Sequence, residues 1–206
     1  MHVVGSIGSL GKGQNEAGVV NVAVKTVVFT GSQNGLRIKT WARPSNGFVK
    51  GVVFEHALMR NVENPVIIDQ NYCPDNENCP GQNGLRIKTW ARPSNGFVKG
   101  VVFEHALMRN VENPVIIDQN YCPDNENCPG QVSGVKISQV SYSDIQGTSA
   151  TQVAVKFDCS AGNPCKGIEL QDVKLTYGNS TAKSSCKNVD GTISGFVAPP
   201  VAYREI

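Results

Sequence analysis

Apolar and polar residues alternate with a period of two in short runs along the chain. The runs are Val22-Ala23-Val24, Leu36-Arg37-Ile38-Lys39, Val66-Ile67-Ile68-Asp69, Val135-Lys136-Ile137-Ser138, Val153-Ala154-Val155-Lys156 and Ile168-Glu169-Leu170-Gln171. A period of two sends successive side chains to opposite faces of a strand, so each run predicts a short β-strand bounded by Gly and Asn turns. No segment holds a 3.6-residue apolar period for three turns, so helices should be scarce. Valine supplies 27 of the 206 residues, a β-branched bias that suits a pleated surface.

Two strand types take turns. One begins near Asn21, Gly51, Gly134 and Gly167, the other near Gly35, Pro65 and Gln152, and one turn of the pattern spans roughly 30 to 35 residues. A sandwich could use such strands, but the repeated order of short strand, turn, short strand fits the coils of a parallel β-helix better. The 49 residues from Gln33 to Gly81 also recur without one substitution from Gln82 to Gly130. Repeats of this length belong to stacked architectures, yet natural repeats drift. Identity at every position points to a recent duplication, such as a doubled exon, or to an error in assembling the gene.

The doubled segment does not comprise whole coils. Gly35 to Pro65 is 30 residues, whereas Pro65 to Gly84 is 19, because after Gly81 the chain re-enters at the second strand type. The insert is about one and a half coils, so residues 82–99 are expected to form a shortened coil, to loop out, or to leave a register fault. Counted once, the segment leaves 157 of the 206 residues, enough for one domain over 1–206.

With 40% hydrophobic and 17% charged residues the composition is that of a soluble globular chain, and a net charge of +2 is too small to imply nucleic acid. No stretch approaches the roughly 20 apolar residues of a membrane helix, and Met1–Gly11 lacks the features of a signal peptide. Six of the seven cysteines form three pairs with one spacing, C-x5-C: Cys73 with Cys79, Cys122 with Cys128, and Cys159 with Cys165. That spacing is too long for zinc hooks, and three histidines are too few to complete metal shells, so short-range disulfides of a secreted protein are expected. Reduced thiols in a cytosolic chain are the alternative. Cys186 has no partner, and Asn179-Ser180-Thr181 is a glycosylation sequon.

Strand geometry makes Arg37-Ile38-Lys39 a candidate for chemistry. Leu36 and Ile38 turn inward, and Arg37 and Lys39 share the outer face roughly 6.5 to 7 Å apart. Such a pair can receive a carboxylate, the guanidinium as a planar fork and the ammonium as a point charge, or can be a solvated sheet face. The acidic loop Cys73–Cys79 lacks the spacing of a calcium loop, His56 and His105 are expected at the surface, and nothing calls for a metal or cofactor.

Ser6-Ile7-Gly8-Ser9-Leu10-Gly11, then Asn34-Gly35-Leu36-Arg37-Ile38-Lys39-Thr40-Trp41, resemble the polygalacturonases of glycoside hydrolase family 28. Asn64-Pro65-Val66-Ile67-Ile68-Asp69-Gln70-Asn71-Tyr72-Cys73, Lys136-Ile137-Ser138 with Gly147-Thr148-Ser149, and the Cys159–Cys165 loop resemble the plant and pollen members in the same order. The resemblance covers nearly the whole chain and corresponds to the C-terminal part of a family enzyme. It implies an all-β, right-handed parallel β-helix, truncated at its N-terminus, whose cleft binds polygalacturonate. It also implies inverting hydrolysis of α-1,4-galacturonosyl bonds of pectin by paired Asp residues, one as acid and one as base. Carried over residue by residue, Arg37 and Lys39 face the substrate carboxylate and Tyr72 is the cleft tyrosine. The duplication adds Arg86, Lys88 and Tyr121.

The family's N-T-D, D-D and G-H-G motifs do not stand in these 206 residues, and aligning the I-G-S-L-G run leaves His2 one position from the family's histidine. Val201–Ile206 replaces the family's final cysteine, so Cys186 is expected to lose its bridge. The expected functional class is therefore a secreted pectin hydrolase by descent with little or no activity of its own, monomeric if folded and not bound to nucleic acid or membrane. The alternatives are a non-catalytic binder of acidic polysaccharide and a non-functional product of a truncated or misassembled gene.

Overall fold

The computed structural model describes residues 5–10, 14–31, 34–40, 46–60, 64–69, 85–90, 95–121 and 133–203. The period-two runs become two sets of strands that the chain visits in turn. β1 (Gly5–Leu10), β3 (Asn34–Thr40), β5 (Asn64–Asp69), β6 (Leu85–Trp90), β8 (Val115–Tyr121), β10 (Val153–Asp158) and β13 (Lys183–Lys187) stack in that order as sheet A. β2 (Val19–Thr30), β4 (Phe48–Arg60), β7 (Phe97–Val111), β9 (Lys136–Ser149) and β11 (Cys165–Tyr177) stack as sheet B. β14 (Val189–Ala198) adds beside β11 in parallel, and the two-residue β12 (Ser180–Thr181) folds back on β11 antiparallel. Apart from β12, all pairings between these strands are parallel, and there is no helix among the described residues. The fold is a right-handed parallel β-helix.

The sheet-B strands are longer than the short runs in the sequence suggest. They run to 15 residues because two columns of left-handed residues bend them without interrupting the ladder. Asn21, Gly51, Gly100, Gln139 and Gly167 form one column, and Thr26, His56, His105, Asp144, Asp172 and Gly195 the other, all with φ between 50° and 65°. Each bend turns the coil around the core, and stacking it on the same bend of the next coil keeps the strands paired.

Register lines positions up in columns across sheet A. Leu36, Val66, Leu85, Val115 and Val155 form one, and Ile38, Ile68, Ile87, Ile117 and Phe157 the next, with Leu36, Ile38, Ile87, Val115, Ile117, Val155 and Phe157 buried. Facing them, Phe54, Phe103 and Tyr142 stack with ring centroids 5.6 and 5.0 Å apart, and Tyr142 leans on Phe157, which stacks on Tyr203. Burying each such side chain contributes about 1.5–3 kcal/mol, which is the main source of stability for a fold whose coils touch only their neighbours.

The duplicated segment is treated differently by the two sheets. In sheet B the copies β4 and β7 lie side by side in identical register, Phe48 on Phe97, Val52 on Val101, Met59 on Met108. In sheet A they interleave as β3, β5, β6, β8, each strand separated from its copy by one other. β5 is followed directly by β6 in the same sheet, with no sheet-B strand between them among the described residues. The described parts of residues 82–99 stay in the ladder, β6 pairing between β5 and β8 in sheet A and the start of β7 pairing beside β4 in sheet B.

Candidate active-site face

The outer face of sheet A is set by the pleat. Leu36, Ile38 and Ile87 are fully buried, so positions 37, 39, 86 and 88 alternate with core positions. Parallel register then builds two rows across the sheet. One runs Ser6, Arg37, Ile67, Arg86, Ile116, Lys156, Ser185, and the other Lys39, Asp69, Lys88, Asp118, Asp158, Lys187. Neighbouring positions in a row lie about 4.8 Å apart along the hydrogen-bonding direction.

The two Arg-Ile-Lys strands thus share a face but are not neighbours, because β5 lies between them. In the first row an isoleucine separates the arginines, and in the second an aspartate separates the lysines. Direct stacking of the copies would have set like charges opposite each other, which is destabilising in a sheet. The half-coil offset avoids it.

Asp118 and Asp158 are register partners although 40 positions separate them in the chain. Sequence reading missed this pair, because nothing local to either residue signals the other. Asp158 is engaged by Asn120, whose Nδ2 donates to its Oδ1 at 2.9 Å and to the Cys159 carbonyl at 3.3 Å.

The neighbouring Gln119 is fully buried and ties the end of β8 to the segments just before β9 and just after β10. Its Nε2 donates to the Val135 carbonyl at 2.8 Å, and its Oε1 accepts from the Ser160 amide at 2.9 Å. Together Gln119 and Asn120 fasten the end of β8, where Tyr121 pairs with Trp90 in the backbone ladder, to the Cys159–Cys165 loop. That loop is closed by a disulfide between Cys159 and Cys165, both fully buried, as the spacing predicted. Asn163 adds a bond from its Nδ2 to the Ser133 carbonyl at 2.7 Å.

Cys186 is unpaired among the described residues and half-buried at the end of the column that contains Phe157, and burial pushes its thiol up to about 11. Asn179 of the sequon is exposed in the turn between β11 and β12. His2, Tyr72, Cys73, Cys79, Cys122, Cys128 and the acidic loop 73–79 lie outside the described residues.

On sheet B, His56 and His105 are exposed as expected, but they are not isolated. Their rings stack with centroids 4.7 Å apart, and His105 Nδ1 lies 2.8 Å from Asp144 Oδ2. The hydrogen bond to Asp144 raises the His105 imidazole above its ordinary value, and the same contact holds the Asp144 carboxyl below its own. Glu55 is bound by Lys25 at 2.6 Å, which lowers the carboxyl and raises the ammonium.

Comparison with known proteins bears on this face. Residues 4–82 and 75–195 each match the Glycosyl hydrolases family 28, two overlapping matches in a chain that repeats 49 residues. A polygalacturonase of Prunus persica is 50% identical over 194 residues, covering 94% of this chain and 37% of the relative. A polygalacturonase of Nicotiana tabacum is 37% identical over 198 residues, with 95% and 38% covered. An exopolygalacturonase of Oenothera organensis is 34% identical over 198 residues, with 95% and 41% covered. The chain therefore spans about two-fifths of the length of these relatives. Matched along nearly its whole length and folded as a parallel β-helix, the chain belongs to glycosyl hydrolases family 28.

Proposed function

We propose that this chain is the substrate-gripping part of a pectin hydrolase, and that it binds polygalacturonate on the outer face of sheet A. The observation that supports this reading is the register of that face, in which Arg37 and Lys39 on β3 and Arg86 and Lys88 on β6 occupy alternate positions to a buried column. A guanidinium and an ammonium two positions apart match a sugar carboxylate, and a polymer of such sugars meets two sets. Tyr72 and Tyr121 each offer a ring for a sugar face and a hydroxyl for a hydrogen bond.

Inverting hydrolysis of the α-1,4-galacturonosyl bond needs a carboxylic acid to protonate the leaving oxygen and a carboxylate to activate water from the opposite side. Cationic positions hold charge but move no proton. Residues 1–206 by themselves are accordingly a binder, and hydrolysis belongs to the family arrangement that includes the paired aspartates. The disulfide Cys159–Cys165 favours an oxidising, extracellular compartment, where Asn179 serves as a glycan acceptor and the protein acts as a monomer at the plant cell wall.

The test is retention of this chain on immobilised polygalacturonate beside a reducing-end assay. Salt-sensitive retention that falls when Arg37, Lys39, Arg86 and Lys88 are all changed to Gln, with no reducing ends above background, is the expected result. Unchanged retention in the variant would sink the binding role, and measurable turnover would overturn the non-catalytic one.

A further inference from the structure

A second charged surface lies at the corner where the chain enters sheet B. Val49, Val98 and Ile137 are buried, so the pleat turns Phe48 and Lys50, Phe97 and Lys99, and Lys136 and Ser138 to the opposite face. Register places Lys50 beside Lys99, Lys99 beside Ser138, Ser138 beside Lys166, and Lys136 beside Phe97. All four lysines are exposed, and none has an ion pair among the described residues.

The residues that follow Lys50, Lys99 and Lys166 are Gly51, Gly100 and Gly167 of the first left-handed column, so these lysines stand on a convex corner. Two positions before them on the same face, Phe48 and Phe97 stack with centroids 5.5 Å apart and an interplanar angle of 9°, which fixes the two strands against each other. The ridge spans three strand steps, roughly 14 Å, from Lys50 to Lys166.

Elsewhere on sheet B two charge pairs are formed: Lys25 binds Glu55, and Asp144 binds His105. On the ridge, duplication has set identical ammonium groups on neighbouring strands, an arrangement that repels itself. A compact anion can neutralise one pair. A linear polymer with regularly spaced carboxylates can lie along the row Lys50, Lys99, Ser138, Lys166 and reach Lys136, two positions to one side on β9.

We propose that Lys50, Lys99, Lys136 and Lys166 form a second track for acidic polysaccharide, running along the solenoid axis and separate from the sheet-A face. The polymer class rests on the reading of sheet A above, but the track stands on its own residues. Each exposed ammonium–carboxylate contact is weak, about 0.2–1 kcal/mol, so several acting together are needed to measure the effect.

The experiment compares binding of the full chain to polygalacturonate by calorimetry at low and high salt with that of Lys50→Gln/Lys99→Gln/Lys166→Gln. The ridge variant is expected to bind roughly tenfold more weakly at low salt and to depend less on salt, while melting no lower than the parent. Undiminished affinity would overturn the proposal. The sheet-A variant Arg37→Gln/Lys39→Gln/Arg86→Gln/Lys88→Gln is measured in parallel. A loss there alone leaves the sheet-A reading intact and removes the ridge, and a loss in the ridge variant alone does the reverse.

Acetylation of the parent chain gives a readout without mutation, since polygalacturonate is expected to protect the four ridge lysines and methyl-esterified polymer to leave them reactive. Equal protection with and without the acidic polymer, or equal affinity for double-stranded DNA of matched charge, overturns the assignment to a carboxylated polysaccharide.

Discussion

Changing Tyr142 to Phe should stabilise this protein. Tyr142 is fully buried in the aromatic column between Phe103 and Phe157, and its Oη has no hydrogen-bond partner among the described residues. A buried hydroxyl without a partner costs about 1–3 kcal/mol in lost hydration. Tyr142→Phe removes that oxygen and keeps the ring, so the core stays filled and the gain is expected near 1 kcal/mol or above. In a domain of this size that raises the melting temperature by roughly 2–4 °C for each kcal/mol.

Alkaline titration gives the same reasoning a second, independent check. Burial pushes the Tyr142 phenol well above its ordinary value, so the folded chain keeps a proton that the unfolded chain releases near pH 10. Stability from this group is fully present below about pH 10 and is lost as pH rises further, by up to about 1.4 kcal/mol per pH unit. Tyr203, also raised by burial, adds to the same loss in parent and variant alike. The gap between Tyr142→Phe and the parent should therefore widen above pH 10 in urea unfolding curves. A variant less stable than the parent at pH 7, or a gap that stays constant into alkaline pH, would refute the claim that the hydroxyl is desolvated and unpaired.

Gly147→Ala should fail to fold or melt far below the parent in a thermal scan, because a Cβ there would meet the Met108 carbonyl oxygen at 1.8 Å and the residue sits at φ 132°. Gln119→Leu leaves the Ser160 amide and the Val135 carbonyl unpaired in the core and should cost about 3 kcal/mol in chemical denaturation, whereas Asn120→Ala, on an exposed residue, should cost less. In NMR titrations His105 should titrate above its ordinary value and Asp144 below its own. The His105 contribution is present below the unfolded imidazole value near 6.5 and is lost as pH rises through the folded one. The Asp144 contribution is present above the unfolded carboxyl value and is lost as pH falls through the folded one. His105→Ala should return Asp144 toward an ordinary carboxylate.

Strand existence, the inward positions within a strand and family were legible in the sequence, because each depends on local order. Leu36 and Ile38 alternate with Arg37 and Lys39 in seven consecutive residues, and the pleat does the rest. The Cys159–Cys165 bridge was readable for the same reason, since six residues of separation leave the chain little choice. The length of the sheet-B strands was less legible. Left-handed residues such as Thr26, His56 and Asp144 look like strand ends until the next coil is seen to stack the same bend upon them.

What lay beyond the sequence is which strand sits beside which. The repeat is one string of residues, yet sheet B stacks its copies like on like while sheet A interleaves them, because the segment is one and a half coils and one sheet must absorb the half. From the interleaving come the separated arginines and lysines of sheet A, and from the like-on-like stacking come the paired His56 and His105 and the adjacent Lys50 and Lys99. The sequence determined the composition of each strand and the face each residue takes, since both follow from a period of two. Only the tertiary structure decided which charges became neighbours, since register between coils is fixed by pairing across tens of residues and no local pattern encodes it.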